Sequence, residues 1–219
     1  ALSAASPFVD GVDTFFQSAR LNAVSAFPLS GQCPPLADWA EFIRHFSFLQ
    51  ACGIATSIKD LYWDVRPKPE FGTVEIRVCD TPLSIEQASS LAALAQSLSR
   101  WLLRTRPVLH TGLQAHVARY NKFQACRYGM AAMISDPVAL CQRPLRESLL
   151  ELLETLSEDA RELGCEHWLK ALLPIVSNDA GDAAWLRARH LAQGNLNDVV
   201  RETAERLLTQ PTHKSWEHS

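Results

Sequence analysis

The sequence predicts an α+β fold, rich in helix, with a single antiparallel strand pair. Three observations predict it. Apolar and polar residues alternate over 61–66 and again over 73–79, with a Pro/Gly loop between the two runs. Over most of the remaining chain, apolar residues recur every three or four positions. Residues that start and stop helices flank those periodic stretches.

Val12, Phe15, Phe16, Ala19 and Ala23 predict a helix over 11–26. Pro28, Gly31, Pro34 and Pro35 mark a turn-rich link. Asp38 then stands before Trp39, Phe42, Ile43, Phe46 and Leu49, an amphipathic helix with an N-cap that Gly53 can terminate. Leu61, Trp63 and Val65 alternate with Tyr62, Asp64 and Arg66. After the loop, Val74, Ile76 and Val78 define a face suited to a helix-packed core. Thr73, Glu75, Arg77 and Cys79 define the opposite face. The rest reads as helix. Ser84 with Gln87 gives a capping box, with apolar spacing through Leu103 and a stop at Pro107. Residues 113–133 form the next helix, with Gly129 a break. The stretch 145–163 carries Leu149, Leu152, Leu153 and Leu156, and Gly164 closes it. Three shorter helices follow at Trp168–Leu173, Ala183–Gln193 and Leu196–Leu208, and residues 209–219 read as a flexible tail.

Composition narrows the function classes. The 219 residues include 47% hydrophobic and 21% charged side chains, as expected of a chain that buries a core. A net charge of -3 gives no basic surplus, which argues against nucleic acid as a partner. Charge interrupts the apolar stretches before membrane-spanning length, so no membrane partner is expected. The six cysteines contain no C-x-x-C pair, and the reading is free, mostly buried thiols in a reducing cytoplasm. The opening ALSAASPF has neither a basic segment nor a long apolar one, and it does not begin with Met. A two-stranded hairpin is marginal by itself, so further strands are expected elsewhere and the chain is expected to be part of a longer protein.

Candidate chemistry concentrates on the hairpin. Glu75 offers hard carboxylate oxygen for Mg²⁺. Arg77 offers a planar fork for carboxylate or phosphate. Period alone favours an ordinary solvated face over a cleft lining. Asp64 and Arg66 likewise fit a site or a cross-strand ion-pair ladder. The cluster from Arg119 to Gly129 contains Asn121 and Arg127, which fit a ligand contact or a basic, solvated helix end. His110 and His116 are spaced wrongly for a metal pair on one helix face, and no glycine-rich phosphate loop is present.

The segment SIKDLYWDVRPKPEFGTVEIRVCDTPLSIEQA resembles a signature of the bacterial ATP-dependent carboxylate–amine ligases, the family that includes the glutamate–cysteine ligase 2 enzymes. YWDVRP, GTVEIRV and DTPL carry the resemblance. The opening ALSAASPFVDGVDTFFQSAR and the later YNKFQACRYGMAAMISDP are similar to family segments in the same order. Phe15 stands where relatives commonly have Gly. The resemblance implies that residues 1–208 form the C-terminal half of one catalytic domain. Its implied fold is like glutamine synthetase, a curved antiparallel sheet backed by helices. A preceding half would bring further acidic ligands and a His-containing motif. The implied reaction uses ATP and Mg²⁺ to join glutamate, or a similar acid, to cysteine, or a similar amine, through an acyl phosphate. The implied roles put Glu75 on Mg²⁺ and Arg77 on the phosphate or substrate carboxylate. Thr73 becomes a wall residue, Asp64 and Arg66 supporting or nucleotide-side groups, and Asn121, Arg127 and Arg20 ligand contacts. Family members associate, so a homodimer is expected. A ligase for another acid and amine, a non-catalytic binding module and a helical interaction protein remain alternatives.

Overall fold

A computed structural model describes residues 1–107 and 113–208. The chain opens on a small hairpin, β1 (Phe8–Val9) against β2 (Val12–Asp13). Asp10 and Gly11 make its two-residue turn, both with positive φ, 49° and 82°. That backbone matches the right-handed twist of the flanking strands. Phe15 is also left-handed, at φ 61°. These breaks correct the expected helix over 11–26: only α1 (Ala19–Val24) is helical, with the Ser18 side chain accepting from the Leu21 amide at its start. The Asp-Gly turn overrides the apolar spacing because a helix cannot run through two left-handed residues.

β3 (Ser30–Gly31) leads to α2 (Trp39–Ala51), where Asp38 accepts from the Glu41 amide as expected. Gly53, at φ 68°, follows the helix end. After a 3-10 turn at Ile58–Asp60, β4 (Tyr62–Trp63) pairs in parallel with β3. Phe42 and Leu49 from α2 bury against Leu61 and Trp63, forming a local core. The run 61–66 is therefore two strands rather than one. β5 (Val65–Lys68) turns through a 3-10 segment, Pro69–Phe71, and Gly72 into β6 (Thr73–Ile76). The register sets Arg66 opposite Glu75 and Lys68 opposite Thr73. The expected hairpin forms, but β6 ends at Ile76 and does not reach Cys79.

Ser84 caps α3 (Ile85–Thr105) by accepting from the Gln87 amide, while the Gln87 side chain donates to the Leu2 carbonyl. Arg106 turns left-handed before Pro107, a residue that disfavours α geometry in its predecessor. α4 (Leu113–Tyr128) stops where Gly129 takes φ 58°. A Cβ at Gly129 would meet the Gln17 side chain at 2.9 Å, so the position also needs glycine for space. A hairpin follows, β7 (Met133–Asp136) with β8 (Cys141–Pro144). It corrects the reading that everything beyond 84 is helical and that the 65–76 hairpin is the only β-structure. The described residues hold four two-stranded pairs. The implied single curved sheet is not among them, and the α+β class holds.

α5 (Leu145–Thr155) and α6 (Ser157–Glu162) divide the expected helix 145–163 at Leu156. α7 (Glu166–Lys170) and α8 (Leu173–Asn178) replace the expected helix at Trp168–Leu173. α9 (Asp182–Gln193) and α10 (Leu196–Leu208) occur as expected. The main core lies where α3 meets α5–α8, built on Ala93, Leu153, Leu156, Leu169, Leu172 and Val176. The cysteines are free, but only Cys126 and Cys165 are buried, while Cys52 and Cys141 are exposed. Residue 110 and the expected tail, 209–219, lie outside the described residues.

Candidate functional site

The β5–β6 pair turns its charged face inward. Arg66 is 4% exposed, whereas Val74 is 64% and Ile76 45% exposed. The expected core face of β6 is thus the open one. The reason is the demand of a buried guanidinium, which must be paired and fully hydrogen-bonded. Arg66 Nη1 donates to the carbonyls of Ile58, Lys59 and Leu61, at 3.2, 3.0 and 3.1 Å. Its Nε and Nη2 close on Glu75 Oε2 at 3.1 and 2.6 Å. The 3-10 turn supplies carbonyls that need donors, and a flat fork on the facing strand supplies them.

Glu75 is held from its other side by Arg77, whose Nη1 donates to Oε1 at 3.0 Å. The Arg66 guanidinium first, and Arg77 with it, holds the Glu75 carboxyl below the usual glutamate range. The rest of the Arg77 fork has no hydrogen-bond partner among the described residues. Its guanidinium lies 5.4 Å from the Tyr62 ring centroid, and Tyr62 is stacked on Phe27 at 5.6 Å. Arg77 is thereby oriented but chemically available, while all three nitrogens of the buried Arg66 are hydrogen-bonded.

The adjoining groups are tied down. The Arg77 amide donates to the Asp64 carbonyl at 2.7 Å, and Lys122 Nζ meets Asp64 Oδ1 at 2.5 Å. Lys122 brings α4 to the hairpin, a pairing across 58 positions that no local pattern signals. Asp80, which the sequence reading did not single out, is a buried hub. It accepts from the Ala5 amide, the Ser6 and Ser18 hydroxyls and Arg20 Nε, the last at 2.6 Å. Arg20 Nη2 also donates to the Cys79 carbonyl at 2.8 Å. Arg20 therefore pins the segment that follows Arg77. The Asp of DTPL was the available signal.

The remaining predicted residues are elsewhere or otherwise engaged. Asn121 donates to the Ser135 carbonyl and accepts from the Ser135 amide, both at 2.8 Å, and so fixes β7 to α4. Arg127 donates to the Thr14 carbonyl at 3.0 Å and lies 4.8 Å from the Phe16 ring centroid. Thr73 is exposed at the tip of the hairpin. The structure thus gathers Asp64, Arg66, Glu75 and Arg77, keeps Arg20 just behind them, and uses Asn121 and Arg127 as braces.

The fit to Mg²⁺ follows from Glu75. A carboxylate has about four lone-pair positions, and Arg66 and Arg77 use three here. One direction on Oε1 remains. Mg²⁺ is commonly held by one or two carboxylates together with substrate phosphates and water, so Glu75 fits as a single protein ligand. No group of three His, Cys, Asp or Glu that could hold a metal occurs among the described residues. No helix among them is long and apolar enough to cross a membrane.

Comparison with known proteins identifies the family. A protein of Dechloromonas aromatica (strain RCB) named "Putative glutamate--cysteine ligase 2" is 77% identical over 208 residues, covering 95% of this chain and 54% of its own. Proteins of the same name from Ralstonia pickettii (strain 12J) and Janthinobacterium sp. (strain Marseille) are 45% and 46% identical. The matches cover 96% and 92% of this chain, and 57% and 54% of those relatives. The chain spans about half the length of the curated relatives it matches. The family model for glutamate-cysteine ligase family 2 matches residues 1–203, which include the whole Asp64–Arg66–Glu75–Arg77 cluster, and the chain belongs to that family.

Proposed function

We propose that this chain is the part of an ATP-dependent carboxylate–amine ligase that carries the Glu75–Arg77 arm of the active site, the complete protein joining glutamate to cysteine. The observation that carries the reading is the Arg66–Glu75–Arg77 ladder, in which one arginine is buried and hydrogen-bonded at all three nitrogens while the other keeps its fork open. Family membership supports ligase chemistry, and the relatives' names support the acid and amine.

Such a reaction transfers the γ-phosphoryl group of ATP to the substrate carboxylate. The amine lone pair then attacks the acyl carbon, the acyl–oxygen bond to phosphate breaks and the amine's surplus proton passes to water, giving amide, ADP, phosphate and a proton. Its barrier falls by charge neutralisation and alignment. Mg²⁺ held through Glu75 supplies part of that neutralisation when bound. Arg77 takes the phosphate or substrate carboxylate with its open donors. Arg66 fixes Glu75, and Arg20 and Asp64 fix the backbone on either side of Arg77. Asn121 and Arg127 act at a distance by holding α4 against β7 and the Thr14 carbonyl. Thr73 is a wall residue at the hairpin tip. The polar inner face and open apolar outer face of β5–β6 support reading the pair as a piece of a glutamine-synthetase-like sheet with more structure laid on its outside. A homodimer in the cytoplasm is part of the same proposal.

Phosphate release from ATP with Mg²⁺, glutamate and cysteine, measured on this chain and on a protein of the relatives' full length, tests the reading. Release by the longer protein only when both substrates are present is expected. Silence of the longer protein with this pair overturns the glutamate–cysteine assignment.

A further inference from the structure

Three loops meet at the carboxylate of Asp80. The opening loop brings the Ala5 amide and the Ser6 hydroxyl, the loop before α1 brings the Ser18 hydroxyl, and Asp80 itself stands between β6 and α3. Regular structure supports them little: β6 ends at Ile76, and an isolated bridge joins Ser6 to Ser18. Yet Asp80 fixes Arg20, and Arg20 Nη2 reaches the carbonyls of Arg77, Val78 and Cys79 at 3.4, 3.4 and 2.8 Å. The backbone under the open arginine is placed only as well as these loops are.

The helix α9 holds all three. Ala183, Arg187 and His190 are spaced four and three apart, so they share one stripe of it. The Ala183 amide donates to the Ala4 carbonyl at 3.1 Å, and His190 meets Phe8 edge-on at 5.1 Å. Arg187, between them, commits its whole fork to residues 13–17. Its Nε and Nη2 donate to the two carboxylate oxygens of Asp13 at 2.8 and 3.0 Å, Nη1 to Gln17 Oε1 at 2.9 Å, and Nη2 also to the Phe16 carbonyl at 2.7 Å. At the helix start, the Asp182 carboxylate accepts from the Leu83 amide at 3.0 Å. Ala4 adjoins Ala5, Gln17 adjoins Ser18, and Leu83 lies three positions past Asp80. Packing alone asks only for apolar contact. A guanidinium shared among a carboxylate, an amide oxygen and a backbone carbonyl imposes one geometry.

We propose that Arg187 is a positioning residue for the reaction: from α9, through residues 13–17, Asp80 and Arg20, it sets the backbone that carries Arg77. The inference rests on the ligase reading above, in which Arg77 takes the phosphate or substrate carboxylate. Alignment is what such a site contributes, and a shift of about 1 Å caused at a remote support can cost about a hundredfold in rate.

The test is a double-mutant cycle in a protein of the relatives' full length. Arg187→Met and Arg187→Lys are each measured alone and combined with Arg77→Lys. Arg104→Met, which breaks a pair with buried Asp159 between α3 and α6, is the control. Arg187→Met is expected to lower kcat/KM about tenfold with Arg77 present, and less than about twofold in the Arg77→Lys background. Arg187→Lys, which keeps a charge for Asp13, should fall less and show the same dependence. Arg104→Met should change both backgrounds by one factor, as sites without shared partners do. Equal losses from Arg187→Met in both backgrounds, or no loss in either, overturn the proposal. Amide exchange on this chain separates its failure from failure of the ligase reading. In Arg187→Met the Ala5 and Arg77 amides, accepted by Asp80 and Asp64, should exchange about tenfold faster, beyond any change at the Leu156 amide of the main core. Equal change at all three overturns the positioning. The expected pattern beside a longer protein that is silent with glutamate and cysteine supports the positioning and removes only those substrates.

Discussion

Arg66 and Glu75 face each other across β5 and β6, and the buried guanidinium closes on one carboxylate oxygen at 2.6 Å. That pair decides which side of the hairpin is inside. It also leaves Arg77 as the arginine with donors to spare, so exchanging the two arginines' roles is not open to the fold.

Removing Arg66 is therefore a stability experiment. Arg66→Ala removes the side-chain donors to the Lys59 and Leu61 carbonyls and leaves Glu75 with Arg77 as its remaining partner. Because Glu75 is itself about a third exposed, the loss should sit near 3 kcal/mol, the lower end for a broken buried pair. Urea unfolding of this chain checks it. A loss within 0.5 kcal/mol, the range of an indifferent surface change, would mean that Arg66 is not the anchor of the hairpin.

Glu75→Gln keeps the side chain's shape but removes its charge and turns one of its two acceptor oxygens into an NH₂ donor facing an arginine. In the longer protein we expect Mg²⁺-dependent turnover to fall by about a hundredfold or more, on the scale of losing one transition-state electrostatic contact. Some stability should also be lost, since the amide cannot accept from both arginines, so turnover is compared at a temperature where the variant is folded. Turnover like that of wild type would take Glu75 away from the metal.

Arg77→Lys retains the positive charge and loses the fork. The expected result is a fall in kcat/KM of at least about tenfold, because a point charge cannot reproduce bidentate contact. Steady-state kinetics on the longer protein decides the matter. Unchanged kcat/KM would return Arg77 to a surface role.

Acid should loosen the same region. The Arg66 and Arg77 partners lower the Glu75 pKa in the folded state, and hydrogen bonds from Arg187 do the same for Asp13. A lowered folded-state value means that the stability from each group is complete above its unfolded value and is lost as pH falls through the folded one. Melting temperature should thus decline below the ordinary carboxylate range, and less steeply in Asp13→Asn. Equal slopes in wild type and variant would contradict the assignment for Asp13.

Phe15 gives a prediction of opposite sign. Its left-handed backbone, φ 61°, is costly for a bulky side chain and suits glycine. Phe15→Gly should stabilise the chain by about 1 kcal/mol, the lower end of the left-handed penalty once chain entropy is counted. A rise in melting temperature is the readout, and a fall would show that the ring's 6.0 Å approach to Arg127 outweighs the strain.

Local features were legible in the sequence because their causes are local. Asp38 and Ser84 cap helices through amides three residues away, Pro107 dictates the backbone of Arg106, and alternation over 65–76 marks a hairpin. The cluster Asp64, Arg66, Glu75 and Arg77 could be named for the same reason, since nearby strands bring it together. The orientation of that hairpin could not. Period two says that Val74 and Glu75 point opposite ways, but not which way is in. That depended on Arg66 finding the carbonyls of a 3-10 turn and on Lys122 reaching Asp64 from a helix 58 positions away. The side-chain partners of Arg20, Asn121 and Arg127 likewise lie 14 to 113 positions away. Sequence periodicity marked the capped helices and the β5–β6 hairpin with its two faces; the pairing of buried charge across the folded chain decided which faces meet and which arginine stays open.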